Sequence, residues 1–391
     1  VFKYDDVRLP KINMKVCHFV SYTADSQYLM NLGRGLANHG ISLTIGTLFE
    51  TGKETPEWLN SIPEADYFCF NAKSKKDFPG CIWKLSKILR REKVEILQTH
   101  LWEASLVGLL AARLARTPLR IFTRHHLDQA HLIGKKIPLE IDRWTAREAM
   151  RVVVLSNAVK EFMISADHID GRKIQVIYQG FDFERFAAEN EAGQRVREEF
   201  GFTQNDFVIG CIANFFPTKG HRFLLQSVKS LLGAIPNLKL FFVGSGGDKK
   251  DLERQIQELG LAERVVFSGF RKDVPACMNA MDLVVHPSLS EAFCQVLIES
   301  MSVGKPLIST DVGGAKEVIT NGETGILVPP EDAEAIAKAI KEVYFNQEFC
   351  QKMALAGQKS VRERFTIETM VNQQIECYEN WLKEVKLKIK N

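Results

Sequence analysis

The chain has 391 residues, too many for one ordinary domain and suited to two of about 150 to 200 residues each. Hydrophobic residues make up 45% and charged residues 25%, so the chain can bury a large core, which excludes disorder and peptide-sized functions. The 51 basic residues against 48 acidic leave a net charge of +3, too balanced for nucleic-acid binding by the whole chain; an anionic partner must be met locally.

In chain order, the opening Val1 to Asn13 carries charges and no apolar signal-peptide core, and reads as an exposed leader. Apolar, β-branched runs then alternate with longer amphipathic stretches, the pattern of strands buried on both faces and crossed over by helices. A first set of strands is expected at Lys15–Val20, Ser42–Thr47, Tyr67–Phe70, Ile96–Thr99, Arg120–Thr123, Val152–Leu155 and Gln175–Ile177, with helices such as Asp25–His39, Trp83–Arg91 and Glu103–Ala115 between them. The polar segment Arg185 to Arg195 has no strand character and is expected as a linker. A second set follows at Phe207–Ile212, Lys239–Val243, Val265–Phe267, Leu283–His286, Leu307–Ser309 and Gly325–Val328, then helices at Glu331–Tyr344, Glu348–Arg364 and Ile367–Lys386. This predicts an α/β chain of two facing, doubly wound Rossmann-like domains, residues 1–185 and 190–365, with ligands in the cleft between their carboxyl edges. The terminal helix, 366–391, is expected to return to the first domain.

The eight cysteines are scattered at 17, 69, 81, 211, 277, 294, 350 and 377, with no Cys-x-x-Cys pair and no zinc spacing. A disulfide framework or structural metal is therefore not expected, which favours a reducing, cytoplasmic setting. The apolar stretch Ser105 to Ala115 contains Arg113 and falls far short of the ~20 residues that cross a bilayer.

The most informative segment runs from Ser288 to Met301. It follows the strand Leu283–His286 and opens a helix around Cys294, with Val296, Leu297 and Val303 on its apolar face. The amides of Phe293, Cys294 and Gln295 lie at the positive end of that helix, where donors and dipole favour an anion such as phosphate. Glu291 precedes the helix and Glu299 lies inside it, so the two carboxylates bracket the same anion. Taken alone, such a pair reads more simply as two solvated glutamates.

Context decides between these readings. Downstream come Gly304-Lys305-Pro306, Asp311-Val312-Gly313-Gly314-Ala315-Lys316-Glu317 and Asn321-Gly322-Glu323-Thr324-Gly325. Upstream, Pro217-Thr218-Lys219-Gly220, Val243-Gly244-Ser245-Gly246 and Phe267-Ser268-Gly269-Phe270 each follow a strand, and the first half contributes Gln98-Thr99-His100, Val154-Leu155-Ser156 and Val176 to Asp182. This ordered series resembles the retaining GT-B glycosyltransferases of family four, over roughly residues 15 to 385. The resemblance implies the GT-B fold and metal-independent transfer of a hexosyl unit, with retention, from a UDP- or GDP-sugar to a hydroxyl of a sugar, lipid-linked or other acceptor. It implies no cofactor beyond the nucleotide sugar.

Residue by residue, the resemblance implies that Glu299 holds the ribose, that Glu291 meets the donor sugar, and that the amides at 293–295 with Lys219 grip the diphosphate. His100 would line the cleft near the reacting carbon, Gly244 belongs to the Gly-x-Gly loop, and the backbone around Phe270 and Arg271 would receive the base. Asn214 stands where the family commonly has an arginine sharing the diphosphate charge, Cys294 replaces a glycine, Gln179 replaces an asparagine, and the loop Ser21 to Ser26 lacks a glycine pair.

Other readings stand beside this one. His100 alone reads equally as a satisfied core histidine, although it sits at the carboxyl end of a strand. Arg124 and His125, with His126, Asp128 and His131, read as a loop on the acceptor side or as plain surface polarity; their spacing fits no dedicated metal ligand set. Between Lys73 and Lys93 there are eight basic residues against Asp77 and Glu92, interleaved with Phe78, Ile82, Trp83, Leu85 and Ile88. They form either a sheet-covering helix or a basic amphipathic helix lying peripherally on the inner face of a membrane. A dehydrogenase fingerprint at Gly244 to Lys249 fails because its third glycine falls on Lys249. A non-hydrolysing sugar-nucleotide epimerase and a catalytically silent nucleotide-binding subunit, the latter suggested by Asn214, are the alternative functions.

Overall fold

The structure, a computed structural model, describes residues 12, 14–22, 26–49, 57–128, 131, 134, 136–186 and 190–390. The expected leader, apart from residue 12, and residues 23–25 of the first loop lie outside them.

Every strand expected from the sequence is present, within two residues at each end. The chain divides into one unit of residues 1–181 and 365–391 and a second of residues 182–364. In the first unit, β1 (Lys15–Val20), β2 (Ser42–Phe49), β3 (Asp66–Ala72), β4 (Ile96–His100), β5 (Leu119–Arg124), β6 (Arg151–Val154) and β7 (Ile174–Val176) form a sheet of order β3-β2-β1-β4-β5-β6-β7. All its pairings are parallel. Parallel neighbours require crossovers, supplied by α1 (Gln27–Asn38), α2 (Phe78–Arg91), α3 (Trp102–Ala115), α4 (Lys136–Glu148) and α5 (Asn157–Ser165). Both faces of the central strands are covered, so β4 is buried at every residue and reads as a run rather than an alternation.

The helix α2 starts earlier than its apolar run suggests. A 3-10 turn, Lys75–Asp77, closed by a capping box of Ser74 and Asp77, leads straight into it, and Pro79 sits in the first turn of the helix, where its missing N–H costs nothing. Phe78, Cys81, Leu85 and Leu89 face the sheet, each large apolar side chain contributing roughly 1.5–3 kcal/mol by burial.

The second unit carries β8 (Phe207–Ile212), β9 (Leu238–Val243), β10 (Val265–Gly269), β11 (Leu283–His286), β12 (Leu307–Thr310) and β13 (Ile326–Val328) in the order β10-β9-β8-β11-β12-β13, again parallel. Its helices are α6 (Asn190–Glu199), α7 (His221–Leu231), α8 (Lys249–Glu258), α9 (Val274–Ala280), α10 (Gln295–Ser302), α11 (Ala315–Val318), α12 (Ala333–Phe345) and α13 (Gln347–Arg364).

The segment expected as a linker is largely the helix α6. It packs against α9, with Gly193 against Asn279, and Arg197 donates to the carbonyls of Ala280, Thr203 and Asp206. Polar composition without strand character suggests a linker, but one arginine satisfying three carbonyls and a buried Val196 fasten the helix to the second unit. The chain passes between units at Phe181 and Asp182, and the last helix, α14 (Ile367–Lys390), belongs to the first. Phe181 donates its amide to the carbonyl of Phe365, Val371 fills the space over Gly35 of α1, and Tyr378 is fully buried.

Both sheets reverse their winding direction once. In the first, β1 and β4 are neighbours across the reversal; in the second, β8 and β11 are. The carboxyl ends of such strand pairs are where open parallel sheets leave a crevice for ligands.

Candidate active site

In the second unit, three loops leave the carboxyl ends of β8, β11 and β12 and are stitched to one another through backbone. The amide of Leu289 donates to the carbonyl of Thr218 at 2.7 Å, and the Ser288 hydroxyl donates to the same oxygen at 3.1 Å. Thr310 Oγ1 donates to the Ser288 carbonyl at 2.5 Å. Glycine is required where these loops cross. Gly220 has φ 67° and a Cβ there would lie 1.9 Å from the Pro287 oxygen; Gly313 has φ 52° and would place one 1.7 Å from the Glu291 oxygen.

This stitching holds an ionised cluster. Lys219 Nζ lies 2.5 Å from Glu291 Oε1, and His286 Nε2 lies 2.8 Å from the same oxygen. Burial opposes ionisation of Glu291, but the His286 hydrogen bond and the Lys219 charge overcome it and hold the carboxyl at about 2. The sulfur of Cys294 completes a group with His286 and Glu291 whose ligand atoms all lie within 4.8 Å of one another, a constellation that could hold a metal ion. Burial keeps the Cys294 thiol protonated, and the Lys219 ammonium already stands against the carboxylate where a divalent ion would bind. In this structure the cation facing the carboxylate is the Lys219 ammonium.

Cys294 is buried and caps α10 in the left-handed region, φ 60°, a conformation that favours glycine. Glu299 follows, one turn into α10; burial pushes its carboxyl up to about 7, with Arg185 pulling the other way. Asn214 is exposed in the loop after β8. Phe270 is 72% exposed beyond β10.

In the first unit the reversal point is neutral and buried. His100, at the end of β4, is 2% exposed. Its Nε2 lies 2.8 Å from Nδ1 of His18 on β1, and its Nδ1 lies 3.0 Å from Nε2 of His125, just past β5. Tyr28 from α1 places its ring edge-on to both His100 and His125. Burial drives His18 down to about 3 and His125 to about 4, and lowers His100 well below the ordinary histidine range, so all three rings are neutral near pH 7.

Comparison with known proteins now decides the family. The family described as Glycosyl transferases group 1 matches residues 194–360, and that described as Glycosyltransferase Family 4 matches residues 26–185. The fold is shared with HepE of Anabaena, solved with UDP, at a TM-score of 0.82 and 24% identity, covering 94% of this chain and 100% of that one. This chain is a glycosyltransferase of the GT-B fold. Among its curated relatives is the UDP-Gal:alpha-D-GlcNAc-diphosphoundecaprenol alpha-1,3-galactosyltransferase of Escherichia coli, 29% identical over 282 residues, 70% of this chain and 72% of that one. Another is the capsular polysaccharide biosynthesis glycosyltransferase CapM of Staphylococcus aureus, 26% identical over 95% of this chain and 98% of that one. The activity is glycosyl transfer from a nucleotide sugar to an acceptor.

Two expected site residues of the glycosyltransferase, Arg124 and His100, sit differently from expectation. Arg124 does not face an acceptor: it is 1% exposed. Its guanidinium is taken up by Asp167 at 2.6 Å, Asp142 at 3.1 Å and the carbonyls of His126 and Leu127. Together with His131 and Arg143, which also reach Asp167, it is an internal strut. The ring nitrogens of His100 are both engaged by other histidines, so its side chain is not free to act on the donor. Arg271 forks onto Glu199 and Asp273 through four hydrogen bonds and holds α6 in place. The amide of Gly244 is bonded to the Gly269 carbonyl at 3.0 Å, so this glycine serves by lacking a side chain.

The structure brings Lys219, Glu291, Phe293, Cys294, Gln295 and Glu299 to one carboxyl edge. His286, His18, Gln98 and Tyr378 complete the two sites and escaped the sequence reading. His286 could have been found from its place as the last residue of β11; Tyr378, on the last helix, carried no local signal.

Proposed function

We propose that the chain transfers a hexosyl unit from a UDP-sugar, with retention at the anomeric carbon, to a hydroxyl of a glycan acceptor carried on a diphosphate lipid. The observation that carries this reading is the Lys219–Glu291–His286 cluster at the first turn of α10. Breaking a sugar–phosphate bond develops negative charge on the departing diphosphate. A fixed ammonium and the positive end of a helix stabilise that charge more than they stabilise the intact donor. Glu299 accepts hydrogen bonds from the ribose, and Glu291, held ionised, orients Lys219 and meets the donor sugar. The acceptor attacks from the face the diphosphate leaves, and a leaving oxygen takes the hydroxyl proton. UDP rather than GDP follows the E. coli relative, named for a UDP-Gal donor, and HepE, solved with UDP and with UDP-glucose.

The lipid-linked acceptor is supported by the same relative's diphosphoundecaprenol acceptor and by the exposed face of the first unit. A cavity of about 440 Å³ there is lined by Lys73, Lys76 and Lys84, while Asp77 is spent on the amides of Lys73 and Ser74. Trp83 is 55% exposed with the Lys87 ammonium 3.5 Å above its ring centre. Cations around an exposed indole suit an anionic bilayer surface. No helix among the described residues is long and apolar enough to cross a membrane.

A thermal-shift panel of UDP, GDP, ADP and NAD tests the donor site: UDP stabilises, NAD does not. Glu299→Ala weakens UDP binding, whereas Glu291→Ala impairs transfer more than binding. Stabilisation by NAD alone, or equal and negligible effects of both substitutions, would overturn the assignment. Release of UDP from UDP-sugar on adding acceptor separates this reading from a silent subunit. Sedimentation with phosphatidylglycerol vesicles, lost at high salt and in the Lys73→Glu, Lys84→Glu variant, tests the membrane face.

A further inference from the structure

The first unit contains a hydrogen-bond chain that crosses the whole reversal point and ends at the carboxyl edge. It begins at Thr123 on β5, whose Oγ1 accepts from Gln98 Nε2 at 2.8 Å. That contact turns the Gln98 Oε1 toward Tyr378, whose hydroxyl donates to it. With its only proton committed there, the Tyr378 oxygen is left as an acceptor facing His18 Nε2 at 3.3 Å. The remaining junctions are His18 Nδ1 to His100 Nε2 at 2.8 Å and His100 Nδ1 to His125 Nε2 at 3.0 Å. Thr123, Gln98, Tyr378, His18 and His100 are all buried; His125 is half-buried.

A neutral imidazole has one N–H and one bare nitrogen, so each junction in such a chain fixes the next. His18 must carry its proton on Nε2 to meet the tyrosine oxygen, which leaves its Nδ1 bare to accept from His100. His100 is then also the Nε2–H form, its bare Nδ1 accepts from His125, and His125 in turn keeps its proton on Nε2. The Nδ1 of His125 is the open end. It has no hydrogen-bond partner among the described residues.

We propose that this chain is polarised in one direction, from His125 inward to Gln98, so that the last helix sets the tautomers of three histidines and His125 Nδ1 is presented as a hydrogen-bond acceptor for a hydroxyl of the acceptor other than the attacking one, whose proton goes to the leaving oxygen. The inference rests on the glycosyltransferase reading and adds to it a group that orients the acceptor substrate. His125 touches the substrate; His100, His18, Tyr378 and Gln98 are positioning residues that act through it. The chain explains why α14 must return to the first unit with a tyrosine at 378: without that hydroxyl nothing selects between the two tautomers, and the open end alternates between donor and acceptor. It also gives neutrality a use, since a cation at the open end would be a donor only.

The experiment is long-range imidazole ¹H–¹⁵N correlation on the full chain at neutral pH, with kinetics of two variants. All three histidines are expected as Nε2–H tautomers. In Tyr378→Phe, His18 shifts toward an averaged tautomer signal, and kcat/KM for the acceptor falls about tenfold while the UDP dissociation constant is unchanged. Gln98→Glu, which keeps an acceptor opposite Tyr378 and cannot be reversed end for end, retains the Nε2–H pattern and guards against a trivial loss of fold in the tyrosine variant. Nδ1–H tautomers, an imidazolium at any of the three, or a Tyr378→Phe variant with wild-type acceptor kinetics would overturn the inference. These outcomes are separate from failure of the underlying reading, which would appear as loss of UDP binding and transfer in the unaltered chain with the tautomers as expected.

Discussion

The two reversal points share a topology and differ in chemistry. At β8 and β11 the crevice end is held by charge: an ammonium and an imidazole converge on one ionised carboxylate. At β1 and β4 it is held by neutral rings passing single protons along a line. The difference follows what each site must handle. A diphosphate gains charge in the reaction, and charge is best met by fixed charge already desolvated and in place. An acceptor substrate held by its hydroxyls brings no charge at the outset, and what it needs is a direction, which a neutral lone pair bonded to one of its non-reacting hydroxyls supplies without the cost of burying an ion.

Four measurements would break or sharpen this contrast. The largest effect is expected from Arg124→Met in the first unit. It leaves Asp142 buried without its arginine and takes from Asp167 its shortest contact, a loss of about 3–5 kcal/mol that denaturant titration would read. Full stability with lost acceptor turnover would instead return Arg124 to the acceptor site. Next comes Glu291→Gln in the second unit. It removes the charge that orients Lys219 and should cost roughly 10²–10³ in kcat, larger than any effect at the neutral chain. A tenfold effect or less would erase the distinction between the sites.

A third test uses pH. The folded carboxyl of Glu299 titrates near 7 against an ordinary value of 4.5. Between those values the folded state holds a proton that the unfolded state has released, so stability is greatest below about 4.5 and declines as pH rises to about 7. Glu299→Gln should remove that decline from thermal denaturation curves; an unchanged slope would place the titration elsewhere. The smallest effect is expected from Asn214→Arg, which adds a second cation beside the donor site. UDP should bind about three- to tenfold more tightly by calorimetry, in line with a charge-assisted hydrogen bond at a partly solvated position. Weaker binding would mean that the exposed loop after β8 does not face the diphosphate.

Much of this was legible in the chain itself. Strand runs buried on both faces and separated by amphipathic stretches specified two parallel sheets, because parallel pairing demands both the apolar run and the crossover. The α10 segment was legible for the same kind of reason: a strand end, an acidic residue, a helix start and a second acidic residue form a local device. Arg124 misled because an arginine beside two histidines looks polar and exposed, whereas its carboxylate partners Asp142 and Asp167 come from elements further along the chain. Arg185 to Arg195 misled because composition cannot show that the helix continuing from it carries an arginine, Arg197, that satisfies three carbonyls of its own unit.

The sequence by itself determined the class of fold, the order of the motifs and the donor-side cluster, since each depends on residues near one another along the chain or on strand ends that topology must bring together. Only the tertiary structure decided which polar groups are spent and which are offered. Tyr378 lies 278 residues beyond His100, and the direction of a hydrogen-bond chain is a property of the whole closed network: one proton placed at its buried end dictates every tautomer up to the surface.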